Sequence, residues 1–174
     1  MECAATLFDG QQDKILSLSL ATPNLMDIIY LCANARPDEK EQWQALSGLE
    51  WDVDSVAINL FNRGGMKWVL LDGDIPVCAA GVTHIVNGVW ESWMVGTMSN
   101  WDKYWRSITK YTRRIINEIL KVEATRVQIY VLASRSKTCE WYIRGLNMTF
   151  EGRMRGFGAN GEDMDIYARI RENG

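Results

Sequence analysis

A short turn between a predicted strand and a long predicted helix holds the residues best suited to bind an anion. The strand covers residues 89–95, and the helix that follows Asn100 carries apolar residues every three or four positions. Ser99 and Asn100 are both helix-capping residue types, and Asp102 follows Ser99 at the spacing of a capping box. Because the first N–H groups of a helix have no partner within it, the sequence predicts an anion-binding turn here.

Other reactive residue types are isolated in the sequence. His84 is the only histidine and has no suitably spaced carboxylate pair, so we expect it to be structural. The absence of a CxxC pair predicts free, mostly buried thiols and neither a metal site nor a disulfide framework. The four cysteines are Cys3, Cys32, Cys78 and Cys139. One side of the long helix is basic, which is typical of a solvated face and also suits an acidic partner. Its basic residues are Lys103, Arg106, Lys110, Arg113 and Arg114.

The composition is that of one ordered domain. The chain has 174 residues, of which 47% are apolar and eight are tryptophan, and this argues against a disordered protein. A formal net charge of −3 gives no indication of general nucleic-acid binding. No apolar run approaches the roughly 20 residues of a membrane span, and no secretory leader is recognisable. We therefore expect a protein that neither spans a membrane nor is secreted.

Hairpin and helix-boundary signals predict the elements that position this turn. Asp72-Gly73 and Asn87-Gly88 are tight-hairpin signals, which predict an antiparallel meander before the long helix. In chain order the predicted elements are strand 27–31, a helix from Pro37 to Ser47-Gly48, helix 54–61, strands 67–71, 75–86 and 89–95, the long helix, strand 126–132, helix 136–144, and strands 152–158 and 164–170.

This order predicts one α+β domain over residues 27–174, with a mixed, mostly antiparallel sheet of about six or seven strands and about four helices. Residues 1–26 are predicted to form an N-terminal arm. Residues 14–20 within it alternate apolar and polar side chains, as a short strand does. We expect the arm to be held by a partner or by the body of the fold.

The order of elements resembles the GNAT N-acetyltransferase fold, and the carboxyl-terminal part carries the more specific match. In that family a strand, two helices and a meander lead to the acetyl-CoA helix, and a strand, a short helix and two strands follow it. Residues 141–148 (WYIRGLNM) and 151–155 (EGRMR) resemble the family's aromatic-Tyr…Leu-Gly-Phe…Glu-Gly-x-x-Arg ending. Asn147 stands at the usual glycine position, and asparagine tolerates the left-handed conformation better than most residues.

Three further segments resemble GNAT-like proteins of short-tailed bacteriophages, some of which are internal virion proteins. They are residues 35–39 (ARPDE), residues 93–97 (WMVGT) with 105–109 (WRSIT), and residues 155–163 (RGFGANGED). This resemblance covers roughly residues 28–170. It implies phage virion or host proteins as partners and a location in the virion or the host cytoplasm, and it gives no oligomeric state.

The GNAT resemblance also implies where acetyl-CoA would bind. The family usually carries Arg/Gln-x-x-Gly-x-Gly/Ala before the acetyl-CoA helix, because glycines let main-chain N–H groups approach the diphosphate. Here only Gly96 is present, and bulkier residues such as Met98 and Trp101 would obstruct that approach. Acetyl-CoA is the one cofactor implied, at a degenerate site, and no metal is expected. The implied cofactor-binding residues are Val95, Gly96, Thr97, Ser99, Asn100 and Ser134.

Catalysis in this fold requires a base for the amine and often a tyrosine that protonates the leaving thiolate. The resemblance places Glu91, on the fourth strand, as the base and Tyr142, on the short helix, as the acid. Each has another interpretation: Glu91 as a solvated strand residue and Tyr142 as a core aromatic. Ser134, implied to bind the cofactor, also has another interpretation, as a residue that caps the short helix.

Two functions are consistent with the sequence. The first is a virion-associated or assembly-related interaction protein on a GNAT scaffold, with little or no acyl transfer, which the eroded turn and the phage resemblance favour. The second is an active acetyl-CoA-dependent N-acetyltransferase that modifies a host or phage protein, which the order of elements and the pair Glu91 and Tyr142 favour. Fold alone does not separate them.

Overall fold

The computed structural model describes residues 18–172, which form a seven-stranded sheet with helices packed on both faces. The strands are β1 (Leu18–Ala21), β2 (Met66–Asp72), β3 (Ile75–Val86), β4 (Val89–Gly96), β5 (Arg126–Leu132), β6 (Thr149–Met154) and β7 (Met164–Ile170). The helices are α1 (Leu25–Ala33), α2 (Pro37–Ser47), α3 (Val53–Asn62), α4 (Met98–Val122) and α5 (Ser136–Glu140), and α5 continues into a π-helical turn (Trp141–Gly145).

An antiparallel meander forms the first half of the sheet. β1 to β4 pair in chain order, each antiparallel to the next. Gly73 and Gly88 adopt φ angles of 59° and 77°, which tight hairpin turns require and which glycine tolerates best. The two hairpins that the sequence predicts are therefore confirmed.

The second half of the sheet joins the first along a short parallel contact. β4 and β5 pair only between residues 89–91 and 126–128, and their pairing stops there. β5 then pairs with β7 and β7 with β6, both antiparallel, which gives the order β1-β2-β3-β4-β5-β7-β6. The predicted α+β fold with a mixed, mostly antiparallel sheet is confirmed.

Two apolar layers hold the helices against the sheet. The apolar stripe of α4 packs on one face, where its residues meet buried side chains of β5. That layer includes Ile115, Ile116, Ile119, Val127 and Val131. On the opposite face α1 and α3 cover β2 and β4. That layer includes Ile28, Leu31, Val56, Leu60, Val69 and Val95.

The strand predicted over residues 27–31 is wrong, because this segment lies inside α1. Asn24 caps the helix: its side chain accepts a hydrogen bond from the Asp27 N–H at 3.0 Å, and the Asp27 carboxylate accepts one from the Asn24 N–H at 2.9 Å. A short apolar run does not distinguish a strand from a helix, and this reciprocal cap favours the helix. The strand predicted over 152–158 is also displaced, since β6 begins at Thr149 and ends at Met154.

The predicted arm, residues 1–26, lies mainly outside the described residues. Its described part contains β1, in which Leu18 pairs opposite Asp72 and is completely buried. Residues 18–21 thus form an edge strand of the sheet.

Candidate functional site

A cleft opens where β4 and β5 stop pairing. It has a volume of about 340 Å³ and is lined by both strands, by α2 and by the first turn of α4. Trp43 and Trp51 meet edge to face in its wall, with ring centroids 6.2 Å apart, and Tyr130 stacks on Phe157 at 5.9 Å. A concave, largely aromatic surface of this size is the usual form of a small-ligand site.

Thr97 caps the N-terminus of α4. Its Oγ1 accepts a hydrogen bond from the Asn100 N–H at 3.3 Å, and its side chain is buried. The prediction that Ser99 or Asn100 caps the helix is wrong. β4 continues to Gly96 and α4 begins at Met98, so Thr97 is the residue that lies between the two elements.

Main chain and side chains from elsewhere cover this turn. Ala35, between α1 and α2, forms an isolated antiparallel bridge with Thr97. The Trp101 indole packs beside Gly96, where a Cβ would lie 3.6 Å from the ring. The Arg36 guanidinium lies over the same indole, 4.6 Å from its centroid. The turn is therefore covered at Gly96 and Thr97, which are buried, whereas Met98 and Ser99 at the start of α4 are exposed.

The Trp101 indole also forms part of the wall of the cleft. It meets Trp141 edge to face, with centroids 5.2 Å apart, and both rings line the cavity. Met98, in contrast, is 55% exposed and is not part of the lining. Of the two bulky residues that the sequence singled out, Trp101 is the one that obstructs the turn.

Two arginines share the carboxylates at the start of α2. Arg36 lies 2.6 Å from Glu39 and 3.3 Å from Asp38, and Arg135 lies 2.7 Å from Asp38 and 3.4 Å from Glu39. Burial alone lowers the pKa of Arg135, but attraction to Glu39 and Asp38 outweighs it, so the pKa is raised. This ion network ties α2 to the segment between β5 and α5.

Glu91 lies in the lining of the cleft and is about half-buried. Burial raises the pKa of its carboxyl, and the positive charge of Arg63 lowers it without cancelling that effect. Arg63 lines the same cavity from the end of α3. A carboxylate with a raised pKa is a better proton acceptor at neutral pH than an ordinary one.

Tyr142 reaches the same cleft from the π-helical turn and is almost completely buried. Its ring stacks on Tyr167 at 5.8 Å and contacts Trp141 at 5.2 Å. Burial raises the pKa of its hydroxyl, which the nearby Arg135 partly opposes, so the group stays protonated at neutral pH. The structure therefore brings a potential base, Glu91, and a potential acid to one cavity.

The residues implied to bind the cofactor are divided among three places. Val95 lines the cleft. Ser134 is exposed and lies in a separate, shallow surface depression beside Leu132 and Asp163. The others lie at the junction of β4 and α4 or in the first turn of α4, outside the lining of the cleft. These are Gly96, Thr97, Ser99 and Asn100.

Sequence reasoning missed the three arginines of the cleft. Arg36 precedes α2, Arg63 ends α3 and Arg135 precedes α5, so only the tertiary fold brings them together. The one available signal was that Arg36 lies in the phage-like segment 35–39.

Within residues 18–172, no three His, Cys, Asp or Glu side chains are grouped so that they could hold a metal ion. The helices of the same range include none with the length and apolar character needed to cross a membrane.

No family model and no curated protein matches the chain by sequence. Solved structures do match it over nearly its whole length. It is similar to a GNAT-family acetyltransferase from Bacillus anthracis, with a TM-score of 0.68, 11% identity, and coverage of 90% of this chain and 96% of that one. It is also similar to yncA from Salmonella typhimurium with its cofactor acetyl-CoA, with a TM-score of 0.65, 12% identity, and coverage of 91% and 96%.

A third match is the microcin self-immunity acetyltransferase MccE in complex with acetyl-CoA and AMP, with a TM-score of 0.68, 14% identity, and coverage of 88% of this chain and 92% of that one. Likeness at such low identity establishes a fold and leaves chemistry open. The chain therefore has the fold of the GNAT acetyltransferases.

Proposed function

We propose that this protein is an interaction module on the GNAT fold with little or no acyl transfer, acting in a phage virion or in its assembly. The covered turn before α4 is the observation that carries the loss of acyl transfer. The phage context is supported by the resemblance of residues 35–39, 93–97 and 155–163 to phage proteins. In this proposal the protein acts in the virion or the host cytoplasm, with other phage or host proteins as partners.

The covered turn opposes coenzyme A because a diphosphate must reach main-chain N–H groups at the helix start. For the diphosphate to reach these groups, the Trp101 indole must move and lose its contacts with the Arg36 guanidinium and the Trp141 ring. A cation–π contact and an aromatic pair together contribute about 1–3.5 kcal/mol. That cost weakens coenzyme A binding by about 5- to 400-fold, before the Ala35–Thr97 bridge is opened.

The outer side of α4 supports an association role. Ile75, Met98 and Trp105 are each about half-exposed or more, and the Arg106 guanidinium lies over the Trp105 ring at 5.0 Å. The side-chain amide of Asn100 donates to the Pro76 carbonyl, which brings the start of α4 beside the residue that follows Ile75. Tryptophan, methionine and arginine are enriched in protein interfaces.

A specific observation favours a second function, acetyl-CoA-dependent N-acetyl transfer. Glu91 and Tyr142 line one cavity, and the pKa of Glu91 is shifted in the direction that suits a base. In this alternative Glu91 takes the proton of the amine and Tyr142 protonates the leaving thiolate. The two functions differ in whether acetyl-CoA reaches the turn.

Titration with acetyl-CoA separates the two functions. At 100 times its Kd, a ligand of the native state stabilises it by about 2.7 kcal/mol, a rise in Tm of about 5–11 °C for a domain of this size. We expect no shift for the native protein with sub-millimolar acetyl-CoA, and a measurable shift for Trp101→Ala. Trp105→Ala is the matched control, because this exposed tryptophan of the same helix does not line the cleft.

A clear shift with the native protein that Trp101→Ala does not increase would overturn the proposal and favour the enzyme. The association role is tested independently by mass spectrometry of purified phage particles. If the protein is absent from purified particles and acetylates a partner protein, the interaction hypothesis is wrong.

A further inference from the structure

A second depression lies at the carboxyl end of α4, away from the cleft. It has a volume of about 700 Å³ and lies between the last turns of α4, the segment that leads into β6 and the end of β7. Asn117, in its wall, follows Thr97 by 20 residues, which is about 30 Å along the helix. The depression is therefore separate from the turn before α4, and its volume is in the range of small-molecule sites.

Positive charge is in excess around this depression. Five cationic and three acidic side chains line it or interact with its lining. The cations are Arg113, Lys121, Arg126, Arg169 and Arg171, and the acids are Glu118, Glu151 and Glu172. Two of the acids are already paired, because Lys121 lies 2.8 Å from Glu118 and Arg126 forms an ion pair with Glu151. The whole chain has a formal net charge of −3, so this region is opposite in sign to the average.

The two arginines in the wall have no carboxylate partner among residues 18–172. Arg169 donates to the Leu146 carbonyl at 3.3 Å and to Asn117 Oδ1 at 2.7 Å. Arg171 donates from Nε to the Leu120 carbonyl. All three acceptors are uncharged, so the charge of neither guanidinium is neutralised by its hydrogen bonds.

A third arginine adds repulsion at the same place. Burial and then the charge of Arg113 lower the pKa of Arg169, and the charge of Glu172 opposes them only in part. Arg113 itself donates from Nε to the Gly145 carbonyl at 2.8 Å and, within the described range, also lacks an acidic partner. Like charges held together in this way are stabilised by an anion that binds beside them.

Helix capping explains only part of this arrangement. The contact of Arg171 with the Leu120 carbonyl is a common way to satisfy the last carbonyls of a helix. It uses Nε and leaves both terminal nitrogens of Arg171 without a partner in residues 18–172. The Asn147 amide and the Thr149 hydroxyl in the same wall also have no hydrogen bond within that range. The wall therefore offers more donors than its lining acceptors use.

We propose that this depression binds the phosphate group of a phosphate monoester. The planar fork of the Arg171 terminal nitrogens suits two phosphate oxygens, and Arg169 and Lys121 add positive charge. A phosphate monoester carries a charge of about −1.5 to −2 at pH 7, which balances the excess better than a singly charged diester does. The monoester has two sources, a small molecule or a phosphorylated side chain of a protein.

Calorimetric titration of the whole chain at neutral pH and constant ionic strength tests the proposal. Two charge-assisted contacts correspond to a Kd of the order of 1 mM, which we expect for inorganic phosphate and for phosphoserine. Dimethyl phosphate, a singly charged diester, is expected to bind at least about 10-fold more weakly. A phosphoserine peptide is the second arm: binding tighter than that of phosphoserine identifies a protein side chain as the source, and equal binding identifies a small molecule.

Two variants locate the phosphate in the depression. Arg171→Gln is expected to weaken phosphate binding by about 10- to 140-fold. Lys121→Gln is expected to weaken it by up to about 5-fold. Because the Lys121 side chain is 67% exposed, this second variant keeps the fold even if Arg171→Gln loses its contact with α4.

Arg144→Gln is the matched control, because the Arg144 side chain is 81% exposed and lies outside the depression. Trp101→Ala is also expected to leave phosphate binding unchanged, which keeps this test independent of the covered turn. No binding of phosphate or phosphoserine, or equal affinity for dimethyl phosphate, would overturn the proposal. Unchanged affinity in both Arg171→Gln and Lys121→Gln, or an equal loss in Arg144→Gln, would do the same.

Discussion

Replacing Gly81 by alanine tests how closely the Trp93 indole, which lines the cleft, packs against the neighbouring strand. Gly81 and Trp93 lie opposite each other on β3 and β4. A Cβ at Gly81 would approach three indole atoms to 2.6, 2.7 and 2.7 Å. Ordinary contacts of this kind begin near 3.4 Å, so the indole must move by about 0.8 Å or the strands must separate.

The expected cost follows from the burial of the indole. Trp93 is 8% exposed and cannot swing into solvent without uncovering its ring. Overpacking a well-filled core costs about 1–3 kcal/mol. A loss of about 2 kcal/mol lowers the Tm by about 4–8 °C in a domain of this size.

Thermal unfolding of Gly81→Ala, monitored by circular dichroism, measures this cost. Gly152→Ala is the matched control, because Gly152 is also a strand glycine and nothing lies within 4 Å of its Cβ position. We expect the control to be neutral or stabilised by up to about 1 kcal/mol. In the double variant Gly81→Ala/Trp93→Leu the clash is absent, so its cost is expected to be at least about 1 kcal/mol less than the sum of the single costs.

A Gly81→Ala protein as stable as the Gly152→Ala control would refute this reasoning. Additive single and double costs would do so as well, because the clash with Trp93 would then not be the origin of the loss.

Two further predictions concern the turn and the cleft. Thr97→Ala removes the cap of α4 and is expected to lower the free energy of unfolding, measured with denaturant, by about 1 kcal/mol. Ser99→Ala is the control and is expected to leave that free energy unchanged. Equal losses in the two variants would contradict the assignment of the cap. For Glu91→Gln the measurement is Tm against pH. Burial raises the pKa of Glu91 in the folded state above its value in the unfolded chain. The native protein is therefore expected to lose stability as the pH rises from the ordinary range of a glutamate carboxyl through the raised pKa. Glu91→Gln has no carboxyl to titrate and lacks this loss. Parallel pH profiles of the two proteins would contradict the shift.

The sequence predicted the meander and the long helix because their signals are local. Asp72-Gly73 and Asn87-Gly88 mark turns within a few residues, and the spacing of apolar residues in α4 repeats over several turns. The segment at residues 27–31 was mistaken for a strand because its four consecutive apolar residues fit a strand and a helix equally well. The pair Asn24 and Asp27, three residues apart, was the signal that would have identified the helix.

The candidate site could be predicted only in part. The turn before α4 and the obstruction by Trp101 follow from residue types that lie next to each other in sequence. The partners of that indole, Arg36 and Trp141, lie on other elements, and no local pattern connects them with it. The cleft itself depends on where β4 and β5 stop pairing, which is a property of the assembled sheet.

The short parallel contact between β4 and β5 divides the sheet into two halves, β1–β4 and β5–β7, that share few main-chain hydrogen bonds. Among residues 18–172, the ladder between the halves is limited to residues 89–91 and 126–128, with the Thr125 and Arg126 N–H groups also donating to the Gly88 carbonyl. The apolar stripe of α4 spans both halves. Side chains rearrange more readily than a hydrogen-bonded ladder. The width of the gap, and hence the size of a molecule that can enter it, therefore depends on side-chain contacts: the packing of α4 on one face and the ion network at the start of α2 on the other.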